Sequence, residues 1–268
     1  ADNSWQYYII NYIKSYELNK TKQHPVGMTA QYPGGSNSDL FNSPADWISP
    51  AESISDPTIA DGSKVIISDT DHHCGLCGDR IWMWKAFARG GNPIIMDGYG
   101  SNDYASAAHA GWRSNNPICV SMRSNLGYAR NYANKMNLAA MTPQNSLSST
   151  GYILADTING EYLTYLPSGG SVTVNLANTQ GTLDAEWFNP SNGQIIDGGI
   201  ISGGASRVFN APFSGDAVLY LRKIIDTEAP TAPTNLIANG ALGQISLSWN
   251  AASDNVGVNN YNVHRGIT

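Results

Sequence analysis

Two apolar runs in this chain end in carboxylates. Lys64-Val-Ile-Ile-Ser-Asp69 continues into Thr70-Asp71-His72-His73, and Asn92-Pro-Ile-Ile-Met-Asp97 continues into Gly98-Tyr99. Polar residues that close a buried strand lie at the edge where barrel folds collect their reactive groups. Alternation of side chains along an extended chain puts Asp69 and Asp71 on one side, with His72 opposed. Carboxylates so placed suit acid, base and nucleophile chemistry. In glycosidic bond cleavage one carboxyl protonates the leaving oxygen, and a second attacks the anomeric carbon or activates water. Asp69 and Asp71 are too close in sequence to be both members of such a pair. One is therefore expected as nucleophile or base and the other as a partner of a sugar hydroxyl or of His72. The competing reading is that these aspartates cap the following loop or bind a cation.

Further candidates stand near the same strand ends. Trp47, read as closing the run Ala45-Asp-Trp-Ile-Ser49, would give a stacking platform, while Gln31, Asp97 and Tyr99 would reach sugar hydroxyls or serve as ordinary loop residues. Cys74-Gly-Leu-Cys77 beside His72 and His73 offers zinc-type ligands. Structural zinc usually takes two ligand pairs, and only one Cys-x-x-Cys is present, so a loop disulfide or free thiols is expected. No metal and no cofactor are expected. A weaker reading is a metal-dependent hydrolase using Asp69, Asp71, His72 and Asp97.

The elements that must position these residues are legible from period and punctuation. Ser4 reads as an N-cap, followed by Trp5, Ile9, Tyr12, Ile13 and Tyr16 on one helical stripe. Pro25 to Ala30 and Ala45 to Ser49 read as short strands, and 64–69 as a strand buried on both faces of a parallel sheet. Asp79 can cap a helix carrying Trp82 and Trp84, read as core, that stops at Gly90-Gly91 before the strand at 92–97. Another helix starts at Pro117 and places Ile118, Met122, Leu126, Ala129, Ala133 and Met136 on one face. Such alternation of strand and helix implies a parallel sheet.

From about residue 143 the segments 151–155, 161–166, 171–176, 183–188 and 217–221 alternate apolar and polar residues. Turn signals fall between them at Asn159-Gly160, Pro167-Ser-Gly-Gly170, Asn192-Gly193 and Asp197-Gly198. This is the grammar of an antiparallel β-sandwich. Trp187 and Phe188 fall on opposite faces of one strand, so at least one is core. A Pro-stiffened linker follows at Asp226 to Pro233, then an alternating segment around Trp249 and Tyr261.

Several of these segments carry a resemblance. Trp5-Gln-Tyr, Gln23-His-Pro-Val-Gly-Met-Thr29, Ser43-Pro-Ala-Asp-Trp-Ile-Ser-Pro50, Ile67-Ser-Asp-Thr-Asp-His72, Trp82-Met-Trp-Lys-Ala-Phe-Ala-Arg-Gly90 and Asn92-Pro-Ile-Ile-Met-Asp97 resemble a family of bacterial glycoside hydrolases related to the apiosidase-like barrels. The resemblance implies that residues 1–141 are the C-terminal half of a (β/α)8 TIM barrel, with strands five to eight near 25–30, 45–49, 64–69 and 93–97. The acid that closes the fourth strand in such barrels is not in this sequence. The resemblance puts the Asp-Thr-Asp motif where the nucleophile is expected, with Asp71 preferred over Asp69 for that role. In that family the barrel is followed by a β-sandwich named for collagen binding, and Tyr162 to Ser171 with Trp187 to Gly193 is similar to its pattern. No residue here carries collagen binding itself. Residues 226–268 resemble a truncated fibronectin type III domain, expected as a spacer. The expected fold is thus α/β plus all-β: a half barrel at 1–141, a β-sandwich at 142–225, and a linker with the truncated module at 226–268.

Composition bounds the partners. The 268 residues carry only 13 % charged side chains and a net charge of -6, with 15 Lys and Arg, so a nucleic-acid partner is not expected. No run approaches the roughly 20 apolar residues that cross a bilayer, so no membrane span is expected. The N-terminus reads straight into a helix and is no signal peptide. The 27 Gly and many Asn, Ser and Thr give a neutral-polar surface of the exported type, so a secreted protein is expected. Its partners are expected to be a polysaccharide or oligosaccharide, with matrix or cell-wall binding through the β-sandwich. The rival reading is a non-catalytic carbohydrate- or matrix-binding protein in which the barrel is a scaffold. A half barrel with two open sheet edges is expected to be unstable or inactive alone.

Overall fold

The computed structural model describes residues 3–31, 34–51, 55–70, 79–95, 117–264 and 266. It divides into two compact units, 1–222 and 223–268. The first unit opens with α1 (Asn3–Glu17), β1 (Gly27–Thr29), α2 (Asn37–Asn42), β2 (Trp47–Ser49), β3 (Val65–Asp69), α3 (Arg80–Ala88), β4 (Gly91–Ile94) and α4 (Pro117–Lys135). The four strands form one sheet in the order β1-β2-β3-β4, and every pair is parallel. The cap at Asp79 is present, with its carboxylate accepting from the Trp82 backbone N–H at 2.7 Å. α4 begins at Pro117, whose missing N–H costs a helix nothing in its first turn.

The two faces of this sheet differ. Met28, Ile48 and Ile66 lie side by side in register and pack with Ile10 of α1 and Leu40 of α2. The alternate residues, Trp47, Ser49, Val65, Ile67, Asp69, Asn92 and Ile94, share the other face, where Val65 and Ile94 are exposed. Among the described residues no hydrophobic cluster forms on that side.

Beyond α4 come β5 (Thr142–Pro143), β6 (Ile153–Asp156), β7 (Glu161–Leu166), β8 (Ser171–Asn175), β9 (Thr182–Phe188), β10 (Ile195–Ser202), β11 (Ser206–Asn210) and β12 (Ala217–Lys223). Six of them form an antiparallel sheet in the order β10-β9-β12-β7-β6-β5, and β8 pairs with β11 in a second, two-stranded sheet. One core lies between the two sheets: Tyr162, Leu166, Leu183, Trp187, Leu219 and Leu221 meet Val172, Val174 and Phe209. The opposite face of the larger sheet is covered too. There Leu154, Leu163, Tyr165, Phe188, Val218 and Tyr220 pack against Trp82, Trp84 and Phe87 of α3 and Met122, Ala129 and Tyr132 of α4.

Several sequence expectations are corrected by this packing. The sandwich strands do not simply alternate: β7 is buried at every position and β12 at its first five, because helices cover the second face. Trp187 and Phe188 are both core, one on each side of the sheet. Asp197-Gly198 is no hairpin turn but a bulge inside β10, where the register slips between Asp197 and Gly199. Gly199 has φ +78, and a Cβ on Gly198 would crowd Ala185 at 3.0 Å, so the bulge takes glycine at both places. In α1, Ser4 lies inside the helix, and Trp5, Tyr12 and Tyr16 point outward with Tyr8 while Ile10 is buried. Aromatic and aliphatic residues both recur there at helical spacing, and the aliphatic side took the sheet. In α4 the buried stripe is Cys119, Met122, Asn125, Ala129, Tyr132 and Met136, and Ile118 is exposed.

The second unit holds β13 (Thr234–Ala241) paired antiparallel with β14 (Gln244–Asn250). Trp249 meets Tyr261 edge-on at 5.3 Å, and the Tyr261 hydroxyl accepts from the Ala252 N–H at 2.8 Å.

Candidate functional site

Asp69 is the last residue of β3, on the face of the parallel sheet that carries Trp47, Ser49 and Ile94. The hydroxyl of Ser49, the last residue of β2, donates to Asp69 Oδ2 at 2.6 Å. Ser49 is itself buried and sits in register with Thr29, which closes β1. Three adjacent strands therefore end in Thr29, Ser49 and Asp69, a polar edge at the C-terminal side of the sheet. The Ser49 bond fixes one carboxylate oxygen of Asp69 and so helps to orient the group. Ser49 was not singled out from the sequence. The signal was available: a small hydroxyl residue closing an apolar strand beside one that closes in aspartate.

Gln31 follows β1 by two residues, and its carbonyl accepts from the Gly35 N–H at 2.9 Å. Trp47 opens β2 instead of closing it, opposite Val65 in the register. That is four residues before Asp69, about 13 Å along the strand at roughly 3.3 Å per residue. The indole lies across Gly27 of β1, where an added Cβ would fall 2.0 Å from Trp47 Cε2. The structure therefore separates Trp47 from the polar edge that holds Asp69. Asp71, His72, Asp97 and Tyr99 lie outside the described residues, as do His73, Cys74 and Cys77. Cys119, buried in the first turn of α4, is disulfide-bonded.

A second polar cluster, not anticipated from the sequence, ties α3 and α4 to the six-stranded sheet. Arg80 Nη2 donates to Asp216 Oδ1 at 2.8 Å, and Arg80 Nε lies 3.1 and 3.2 Å from the two oxygens. The Tyr165 hydroxyl donates to Asp216 Oδ2 at 3.0 Å. Trp84 Nε1 donates to Asn125 Oδ1 at 2.8 Å, and Asn125 Nδ2 reaches the Pro190 carbonyl at 3.1 Å. Glu186 accepts from the Tyr132 hydroxyl and from Lys135 Nζ, both at 2.7 Å, and Glu161 accepts from the Tyr220 hydroxyl. Burial, and then the neighbouring carboxylates, push the Tyr132, Tyr165 and Tyr220 hydroxyls well above the usual phenol range.

Comparison with known proteins bears on parts of this chain. Residues 140–222 match the family model described as "Putative collagen-binding domain of a collagenase". A stretch of 42 residues is 55 % identical to Chitinase A1 of Niallia circulans, which covers 15 % of this chain and 6 % of that protein. Among solved structures, a glycoside hydrolase family 5 protein from Bacteroides vulgatus is similar over 54 % of this chain and 35 % of its own, at 15 % identity and TM-score 0.42. A second, titled "Glycoside hydrolase", is similar over 69 % of this chain and 44 % of its own, at 14 % identity and TM-score 0.45. The chain thus spans less than half the length of each of these proteins.

Proposed function

We propose that this chain is part of a secreted glycoside hydrolase, with β1 to β4 as the fifth to eighth strands of a (β/α)8 barrel. The observation that carries this reading is the two-sided character of the parallel sheet. Parallel sheets bury both faces, yet among the described residues helices cover one face and no hydrophobic cluster forms on the other, which carries Asp69 at its C-terminal edge, bonded to Ser49. A face of that kind fits the interior wall of a barrel, and its carboxyl edge is where barrel enzymes work. Asp69 or Asp71 supplies the nucleophile or base, and the general acid comes from sequence outside residues 1–268. The ordered motifs between Trp5 and Asp97 and the stretch shared with a chitinase support a polysaccharide substrate. On this reading 226–268 is a fibronectin type III-like spacer.

A second reading, a non-catalytic carbohydrate- or matrix-binding protein, is favoured by the family match over 140–222. The experiment is turnover of a panel of plant and microbial glycans by the gene extended upstream to a whole barrel, beside Asp69→Asn, Asp71→Asn and Ser49→Ala. The hydrolase reading expects cleavage that one Asp→Asn change abolishes without unfolding, and a smaller loss, about ten-fold, in Ser49→Ala, which removes one of the bonds that orient the carboxylate. Glycan or matrix binding with no cleavage by the extended protein would hand the case to the second reading.

A further inference from the structure

We propose that the groove between α4 and the β9–β10 hairpin binds one ring of a neutral saccharide. The site is separate from the polar edge at Asp69 and does not depend on the hydrolase reading. Tyr128, Asn131, Tyr132 and Lys135 recur at intervals of three and four and so line one edge of α4. Glu186 and Phe188 of β9 face them, with Gly193 in the hairpin turn and Ile195 at the start of β10. Together they line a half-open groove of about 200 Å3. Sites that enclose a drug-sized ligand run to roughly 300–1,000 Å3, so this one takes a single ring of a longer molecule.

The lining has the chemistry of a sugar subsite. Its floor is aromatic: the Phe188 ring meets Tyr128 edge-on at 5.0 Å and Tyr132 at 5.6 Å. Exposed Ile195 forms one apolar lip. Polar groups stand at the rim, namely the Tyr128 hydroxyl, the exposed Asn131 amide and the Glu186 carboxylate. Each Glu186 oxygen accepts one bond, from Tyr132 or Lys135, and retains a second lone pair for a ligand hydroxyl. Lys135 cancels the charge of Glu186, which selects a neutral ligand over an ion. Gly193 keeps the mouth open, since a Cβ there would lie 2.5 Å from the Tyr128 hydroxyl oxygen. A pyranose presents C–H faces to an aromatic floor and hydroxyl donors to a carboxylate rim. A prolyl ring would fit the floor but brings no donor to Glu186, and a hydroxyprolyl ring brings one hydroxyl where a pyranose brings several.

The test uses the full chain, titrated calorimetrically with cellohexaose, xylohexaose, chitohexaose and mannohexaose, and with a triple-helical Gly-Pro-Hyp peptide. Tyr128→Ala, Asn131→Ala, Tyr128→Phe and Arg130→Ala, an exposed α4 position outside the groove lining, are run in parallel, with folding checked by near-ultraviolet circular dichroism. Tyr128→Phe keeps the packing on Phe188 and removes only the hydroxyl. At least one hexasaccharide is expected to bind in the millimolar range. Its affinity should fall about ten-fold in Tyr128→Ala and in Asn131→Ala, fall less in Tyr128→Phe, and stay unchanged in Arg130→Ala. Binding of none of the saccharides, saccharide binding indifferent to Tyr128 and Asn131, or capture of the peptide alone through these residues would each overturn the proposal. Loss of turnover in the extended protein with this binding intact would count only against the hydrolase reading.

Discussion

Truncating Asp216 to alanine deletes the one carboxylate that both Arg80 and Tyr165 use. Its side chain is 2 % exposed and that of Arg80 is 31 % exposed. The Tyr165 hydroxyl would lose its acceptor inside a core where the residue is fully buried, a cost of about 1–3 kcal/mol. Removing one partner of a fully buried ion pair costs about 3–5 kcal/mol, but Arg80 is exposed enough to recover part of its hydration, so its share is smaller. The expected loss is about 2–4 kcal/mol for Asp216→Ala and about 1–2 kcal/mol for Asp216→Asn, which keeps an acceptor for Tyr165. Urea unfolding would be followed by tryptophan emission, which sums all seven tryptophans with Trp82 and Trp84 of α3 among them, and by far-ultraviolet circular dichroism, which reads the strands and helices together. Both signals should shift together, because α3, α4 and the six-stranded sheet share one core. A stability within about 0.5 kcal/mol of the parent, or a tryptophan transition that moves while the dichroism transition stays, would refute this account of the interface.

Alkaline stability should collapse steeply. The raised tyrosines favour the folded state below their unfolded value near pH 10, and that advantage is lost as pH climbs through the folded values. Three such groups set a limiting slope of about 4 kcal/mol per pH unit, and urea melts between pH 8 and pH 11.5 that show less than one proton's worth of slope above pH 10 would contradict it. Trp84→Ala should cost about 3–5 kcal/mol in chemical denaturation, since Trp84 touches Phe87, Tyr132, Tyr165 and Phe188, and Trp84→Phe should cost clearly less. Equal stability of the two variants would show that the indole is not the keystone of that core. Gly27→Ala should displace the Trp47 ring at a cost of about 1–3 kcal/mol and shift the emission maximum, and an unchanged spectrum would mean that the ring does not lie on β1.

What could be read from the sequence was whatever local chemistry decides. β3 is an uninterrupted β-branched run, and α3 is bracketed by an Asp cap and a Gly pair, so both were placed to within a residue or two. The stripe of α1 was misassigned because Trp5, Tyr12 and Tyr16 have the same helical spacing as the aliphatic residues, and only the neighbouring sheet chooses between them. β10 and β11 escaped notice because Gly-rich, polar sequence surrounds them, and a bulge at Asp197 reads as a turn. The double coverage of the larger sheet had a visible sign in Ala217-Val-Leu-Tyr-Leu221, apolar at every position, which one solvated face would not require. At the candidate site Asp69 was legible from its place at a strand end. The Ser49 contact was not, because it joins neighbours twenty residues apart in sequence. Trp47 was misplaced because β2 spans only three residues, and it opens that strand.

The covered face of the larger sheet lies across the edge of the family match. That match begins at residue 140, after α4 has ended, so it takes in the sheet and leaves out the helices that cover it. A β-sandwich cut out at that boundary would carry Leu163, Tyr165, Phe188, Val218 and Tyr220 into water as a bare apolar floor. It would need another pair of helices to roof it, or a sequence that rewrites those five positions as polar.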